Sequence, residues 1–144
     1  MSEKIVVGSD GSDTAKQAVD EALRIAKALG AELHVVMSNH SLRGAHIVGA
    51  PQGAVPVYGS MHNGVPAAVI DEAVAAARIS GITAEGHVID RDPADALLEV
   101  ADKVGASTIV VGNKGMSGGR RLLGSVPNKV SHEAHCNVLI VATT

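Results

Sequence analysis

The chain lacks tryptophan and phenylalanine, and Tyr58 is its only aromatic residue. Without aromatic side chains there is no platform on which unpaired bases can stack, which argues against binding of single-stranded nucleic acid. The formal charge of −3 means that the basic surplus typical of nucleic-acid-binding proteins is missing as well. Hydrophobic residues make up 46% of the sequence, so the core must be built from valine, isoleucine, leucine and alanine.

Cysteine and long apolar runs are also scarce. Cys136 is the only cysteine, so no disulfide can form within the chain. No apolar run approaches the length of about 18 residues that a membrane-spanning helix needs. The first residues lead directly into an apolar strand and leave no room for a signal peptide. These absences favour a cytoplasmic protein, and 144 residues are enough for a single domain with its own core.

Short apolar runs alternate with stretches of helical periodicity along most of the chain. The apolar runs predict strands over residues 5–8, 33–37, 82–89, 107–111 and 138–142. The periodic stretches predict helices from Ser12 or Asp13 to Leu29 and over 67–80, 94–104 and 125–134. Strands that alternate with helices predict an α/β fold, with a parallel sheet and helices on both of its faces. Residues 39–66 show no sustained period and are predicted to form a long loop within this domain.

A strand, a glycine-rich loop and a helix start follow one another between Ser107 and Ala134. The strand breaks at Gly112, and the predicted helix begins at Ser125. Four further glycines lie between them, at Gly115, Gly118, Gly119 and Gly124. Glycines allow a backbone to approach a phosphate closely and to take positive φ, and the unpaired N–H groups at a helix start bind anions. The pattern therefore predicts a phosphate-binding loop; the alternative is a flexible connection with a helix cap at Ser125.

The loop matches neither the Walker A pattern nor the dinucleotide pattern G-x-G-x-x-G. Its sequence Gly112-Asn113-Lys114-Gly115, followed by Gly124-Ser125, resembles the loop G-x2-G-x9-G-[ST] of the universal stress protein family, in its ATP-binding branch. Eight residues separate Gly115 from Gly124, where the family pattern has nine. The resemblance extends to both ends of the chain, through IVVGSDGSDTAKQAVDEALRIAKALGAEL and RLLGSVPNKVSHEAHCNVLIV.

The resemblance implies an open, doubly wound, five-stranded parallel sheet in the order 3-2-1-4-5. In such sheets ligands bind at the carboxyl ends of the strands, where the winding reverses. The resemblance places Asp10 by the ribose and adenine, and Met37 or Ser38 at the border of the base. The site residues carried over from the family are Gly8, Ser9, Asp10, Ser38, Gly112, Gly115, Gly124, Ser125 and Val126.

The function implied is binding of an adenine nucleotide, with ATP first, in a regulatory or stress-response role. Mg²⁺ would accompany ATP through its phosphates, and the protein would form a homodimer through its last strand. Because the loop is one residue short, cyclic AMP or AMP is an alternative ligand, and a partner-binding module without nucleotide is a second alternative. Phosphoryl transfer needs a positioned base and metal ligands. No residue is dedicated to either role, so no catalytic residue is predicted.

Seven histidines raise the question of a metal site. His132 and His135 are three residues apart on a predicted helix, but zinc sites need three or four converging ligands. The pair is interpreted as solvated helix surface, and no resident metal is predicted. Cys136 is interpreted as a small apolar residue at the start of the last strand.

Overall fold

A computed structural model describes residues 2–39, 55–113 and 123–143, and within these the side chains of 2–39, 67–113 and 123–143. Strands and helices alternate along the chain. They are β1 (Lys4–Gly8), α1 (Asp13–Leu29), β2 (Glu32–Ser38), α2 (Val55–Ile79), β3 (Ala84–Ile89), α3 (Pro93–Val104), β4 (Thr108–Gly112), α4 (Ser125–Glu133) and β5 (Asn137–Val141). None of the described helices is both long enough and apolar enough to cross a lipid bilayer.

The strands form one sheet in the order β3-β2-β1-β4-β5, and every neighbouring pair is parallel. This confirms the α/β class and the strand order that the family resemblance implies. Because β1 has β2 on one side and β4 on the other, the winding reverses between β1 and β4. The carboxyl ends of these two strands therefore lie side by side at one edge of the sheet.

Two apolar layers cover the sheet. On one face α1 and α2 pack over alternate strand residues such as Ile5, Val7 and Leu33. On the other face α3 and α4 pack over the intervening residues, such as Val6 and Ile109. These strand residues are all fully buried, which is the pattern expected of central parallel strands with helices on both faces.

Helix α1 begins and ends at residues whose chemistry favours those positions. The Ser12 hydroxyl accepts a hydrogen bond from the backbone nitrogen of Ala15 at 3.2 Å, so Ser12 is the N-cap and Asp13 is the first helical residue. Gly30 ends the helix with φ of 65°, in the left-handed region that glycine adopts without steric cost. Of the two cap residues considered from the sequence, the structure selects Ser12.

The prediction of a loop over residues 39–66 is wrong for its second part, because α2 begins at Val55 and not at residue 67. The glycines and prolines of this stretch lower its intrinsic helix propensity. That propensity is a weak guide to whether a segment is helical, because it is routinely outweighed by tertiary context. Residues 40–54, which include the first part of the predicted loop, lie outside the described residues.

Gly86 in β3 has a packing role that the sequence does not reveal. A Cβ atom at Gly86 would lie 2.0 Å from Cγ2 of Ile70, far inside van der Waals contact. Ile70 is a buried residue of α2. Its side chain can pack against β3 only because residue 86 has no side chain. Gly86 is therefore the position that allows α2 to approach β3.

Candidate functional site

The turn after β1 lies at the sheet edge where the winding reverses. The backbone nitrogen of Ser9 donates to the carbonyl oxygen of Val36 at 2.9 Å, which continues the β1–β2 ladder past Gly8. The Ser9 hydroxyl accepts from the nitrogen of Gly11 at 3.2 Å. Oδ1 of Asp10 accepts from the nitrogen of Ser12 at 2.9 Å. Asp10 is exposed and shapes this turn, while its second carboxylate oxygen, Oδ2, is an additional acceptor that can face a ligand.

Gly8 and Gly112 are glycines because neighbouring side chains approach them closely. A Cβ atom at Gly8 would lie 3.2 Å from both Cδ atoms of Leu97 in α3. A Cβ atom at Gly112 would lie 3.3 Å from Cγ2 of Thr143. Neither residue has the positive φ that is one general reason for glycine in a phosphate loop.

Asn113 connects three elements at the end of β4. Its backbone nitrogen donates to the carbonyl oxygen of Val141 at 2.9 Å, and its side-chain oxygen accepts from the nitrogen and hydroxyl of Thr143. Its carbonyl oxygen also accepts from the nitrogen of Gly124 at 3.4 Å. Asn113 thus holds the start of α4 beside the end of β4. The motif contains this residue, but its role was missed because the pattern allows any residue there.

The N-terminus of α4 presents backbone N–H groups towards this edge. Gly124 is the N-cap residue, with φ of −63° and ψ of 165°, and no described side chain caps the helix. Pro127 has no N–H group, so the open donors of the first turn are the amides of Ser125 and Val126. The first turn contains no acidic residue, so no side-chain charge there opposes an anion. The side chain of Val126 packs against the core under α3 and α4.

Of the two general reasons for glycine in a phosphate loop, positive φ does not apply to Gly124, since its φ lies in the extended region that any residue adopts. The reason that remains is space, because a glycine lets a ligand approach the backbone. Gly115 lies outside the described residues.

The structure places the two residues predicted to border the adenine base, Met37 and Ser38, in different surroundings at the end of β2. Met37 is only 5% exposed and packs in the core beneath α1 and α2. Ser38 is the last residue of β2, and its hydroxyl donates to the carbonyl oxygen of Arg91. Of the pair, Ser38 is therefore the one that lies at the carboxyl edge of the sheet.

His132, in α4, and His135, just after α4, form hydrogen bonds with different partners. Nδ1 of His132 lies 2.7 Å from the carbonyl oxygen of Asn128, within its own helix. Nδ1 of His135 lies 3.2 Å from Oδ1 of Asp102 in α3. The two rings have different partners, and only His132 lies on the helix, because α4 ends at Glu133, before His135.

An ion pair joins the two helices on this face of the sheet. Nζ of Lys129 lies 2.9 Å from Oδ1 of Asp95. The hydrogen bond from Lys129 lowers the pKa of the Asp95 carboxyl, and the same bond raises the pKa of Lys129. Both groups are therefore charged at neutral pH, and the pair links α3 to α4.

A separate group of ionisable side chains lies away from this edge and was missed from the sequence. It consists of His34, Glu85 and His87, on β2 and β3. Only the register of the two strands brings these residues together, and periodicity alone does not determine the register.

Comparison with known proteins agrees with this fold. The profile of the Universal stress protein family matches residues 1–142. A universal stress protein of Mycobacterium tuberculosis is 37% identical over 151 aligned residues, which cover 97% of this chain and 96% of that protein.

Two solved structures are similar along nearly their whole length. A universal stress protein in complex with cAMP is 36% identical, with a TM-score of 0.70 and coverage of 99% of this chain and 98% of that one. The universal stress protein of Archaeoglobus fulgidus in complex with dAMP is 25% identical, with a TM-score of 0.67 and coverage of 96% of both chains. The family match, the curated relative and the fold agree, and the chain belongs to the universal stress protein family.

Proposed function

We propose that this protein binds an adenine nucleotide at the carboxyl edge of β1 and β4 and acts as a regulatory protein of the stress response in the cytoplasm. The observation that carries the proposal is the open N-terminus of α4, which Asn113 holds beside the end of β4. Backbone amides and the helix dipole at such a terminus favour a phosphate group.

The remaining contacts follow from the positions of the strand ends. The amides of Ser125 and Val126, with the Ser125 hydroxyl, would donate to phosphate oxygens. The carboxylate of Asp10 would accept hydrogen bonds from the ribose hydroxyls. Ser38, at the end of β2, would lie beside the base. The two solved relatives hold cAMP and dAMP, which supports binding of an adenine nucleotide by this chain.

ATP, with Mg²⁺ bound through its phosphates, is the ligand that the loop motif predicts. Cyclic AMP is the second candidate, because a relative that is 36% identical was solved with cAMP. The interval between Gly115 and Gly124 is one residue shorter than the family pattern, which also favours a ligand with a single phosphate.

Isothermal titration calorimetry with ATP plus Mg²⁺, AMP and cyclic AMP, and with GTP as the control, tests the proposal. The variant Ser125→Ala should weaken binding of the preferred adenine nucleotide, whereas Ser131→Ala, the same change at the other end of α4, should leave it unchanged. Gly124→Ala should weaken binding without loss of folding, because alanine adopts φ of −63° without strain. Gly115→Ala should weaken binding as well, because Gly115 matches a phosphate-contacting position of the family loop.

Two results would contradict the proposal. If no adenine nucleotide releases heat or raises the melting temperature, the protein is a partner-binding module without nucleotide. If phosphate is released steadily in molar excess over the protein, the protein is an ATPase and its role is not only regulatory.

A further inference from the structure

Four ionisable side chains share one face of the sheet near the edge formed by β3. Glu32 and His34 are alternate residues of β2, and Glu85 and His87 are alternate residues of β3. The register pairs His34 with Glu85 and Val36 with His87. Because side chains alternate along a strand, all four lie on the face of the sheet that α3 and α4 cover. Gly86, against which α2 packs, is on the opposite face.

The central member of the group is a buried histidine with both ring nitrogens engaged. His34 is 2% exposed, Nε2 of its ring lies 2.6 Å from Oε1 of Glu32, and Nδ1 lies 2.9 Å from Nε2 of His87. One ligand atom from each of His34, Glu85 and His87 lies within 4.8 Å of the other two. Three atoms of this type at this spacing can converge on one ion.

The carboxylate of Glu32 determines which nitrogen of His34 is available. An ionised carboxylate only accepts hydrogen bonds, so Nε2 of His34 carries the proton and Nδ1 presents its lone pair towards His87. A histidine whose second nitrogen donates to a carboxylate is the usual arrangement of a metal-ligating histidine, because the carboxylate orients the ring and raises its basicity.

We propose that Nδ1 of His34, Nε2 of His87 and the carboxylate of Glu85 bind a divalent transition-metal ion of the zinc type, with Glu32 as the residue that positions His34. Two imidazoles and one carboxylate form a ligand set that zinc accepts in tetrahedral sites, with water in the fourth position. Glu85 is exposed and His87 is partly exposed, so the fourth position faces solvent.

The distance between the two imidazole nitrogens needs little change to receive the ion. Zinc–nitrogen bonds of about 2.0–2.1 Å at a tetrahedral angle place two nitrogens about 3.3 Å apart. The two imidazole nitrogens are now 2.9 Å apart, so the rings must separate by about 0.4 Å. The carboxylate of Glu85 sits on an exposed side chain of an edge strand, where it can adjust to close the site.

The two carboxylates of the group fit a divalent cation. Burial, followed by the neighbouring His34, lowers the pKa of His87. Glu85 acts in the opposite direction on that pKa, and Lys103 of α3 lowers it further. The carboxylates of Glu32 and Glu85 together balance the two charges of the ion.

The proposed site is independent of the nucleotide site. Ser38 is the fourth residue after His34 along β2, a distance of about 13 Å at the rise of a strand. A metal here would join the edge strand β3 to β2 and stabilise the folded state in proportion to the logarithm of the free metal concentration.

The test is a titration of chelator-treated, dialysed protein with Zn²⁺ in competition with a chromophoric chelator, followed by thermal unfolding at each zinc concentration. We expect one ion per chain and a melting temperature that rises with free zinc. Glu85→Gln, an isosteric change at an exposed position, should reduce zinc affinity and abolish that rise while the metal-free melting temperature stays at the parent value. Glu32→Gln should reduce zinc affinity by roughly 10- to 100-fold, as loss of an orienting partner does.

Spectroscopy and control variants distinguish this site from other histidines. The parent protein with Co²⁺ should show the visible absorption bands of a four-coordinate site, and Glu85→Gln should change them. The double variant His132→Gln with His135→Gln, and a variant with glutamine at His40, His46 and His62, should bind zinc like the parent. The proposal is overturned if the parent does not bind zinc, if Glu85→Gln binds it equally well, or if the loss follows either control variant.

Discussion

The side-chain oxygen of Asn113 accepts two hydrogen bonds from Thr143, one from its backbone nitrogen at 3.0 Å and one from its hydroxyl at 2.9 Å. Thr143 is 6% exposed, so neither donor can turn to water instead. The two bonds hold the chain after β5 against the end of β4. Asn113 also positions the N-terminus of α4, through its backbone carbonyl oxygen.

We therefore expect Asn113→Ala to lower the free energy of unfolding by about 1–3 kcal/mol, the cost of leaving buried donors without an acceptor. Urea unfolding monitored by circular dichroism measures the change. Asn137→Ala, at an exposed position, is the control and should stay within about 0.5 kcal/mol of the parent. Equal stability of both variants would mean that the Thr143 donors find other partners.

Asp10→Asn separates the two roles of the Asp10 side chain. Asparagine keeps an oxygen that can accept from the nitrogen of Ser12, so the turn and the stability should be preserved. It removes the charge and one acceptor oxygen, which should weaken adenine nucleotide binding by about 0.5–1.5 kcal/mol. Calorimetry measures the affinity, and an unchanged value would leave Asp10 with a turn-forming role alone.

Gly86→Ala should destabilise the protein by about 1–3 kcal/mol, because the new methyl group would overlap Cγ2 of Ile70. A double-mutant cycle with Ile70→Ala gives a sharper measurement. In the Ile70→Ala background the obstructing atom is gone, so Gly86→Ala should cost less there than in the parent. Additive costs in urea unfolding would show that the contact with Ile70 is not the reason for glycine at this position.

The edge strand β5 leads us to expect a homodimer. β5 is the last strand of the sheet, and Leu139 and Ile140 are 36% and 37% exposed. Apolar edges with unpaired backbone groups favour pairing with a second chain, and a two-fold dimer is the simplest closure. Light scattering should give twice the mass of one chain, and Ile140→Lys should shift it to a single chain with an unchanged far-UV spectrum. A single-chain mass for the parent would contradict the dimer.

Cys136 should titrate above the ordinary range of a thiol. Burial raises the pKa of the Cys136 thiol, and the charge of Asp102 raises it further, against an opposing backbone hydrogen bond from Ile109. Because the thiolate is the reactive form, the midpoint of the pH profile for iodoacetamide alkylation should be higher in the native protein than in urea.

Asp102→Asn should lower that midpoint, since it removes the second cause of the raised pKa. Glu99→Gln, which removes a charge from the same helix, should leave the midpoint unchanged. A native midpoint equal to the midpoint in urea would show that neither burial nor Asp102 affects this thiol.

The sequence by itself determined the number and order of the strands and most of the helix ends, whereas β3 begins at Ala84 and not at residue 82. Alternation of apolar runs with helical periodicity is a local property, and so are the helix ends at Gly30 and Gly105, both of which have left-handed backbone. The sequence motif also predicted that Gly112, at the end of β4, and Ser125, at the start of α4, lie near each other.

Features that depend on strand register, or on how the helices pack against the sheet, could be seen only in the tertiary structure. The start of α2 at Val55, the packing of Ile70 on Gly86 and the bonds from Asn113 to Thr143 are long-range contacts that no local period encodes. The meeting of His34 with His87 arises in the same way. A shift of one residue between β2 and β3 would move each side chain of one strand to the opposite face, so the cluster exists only in the observed register.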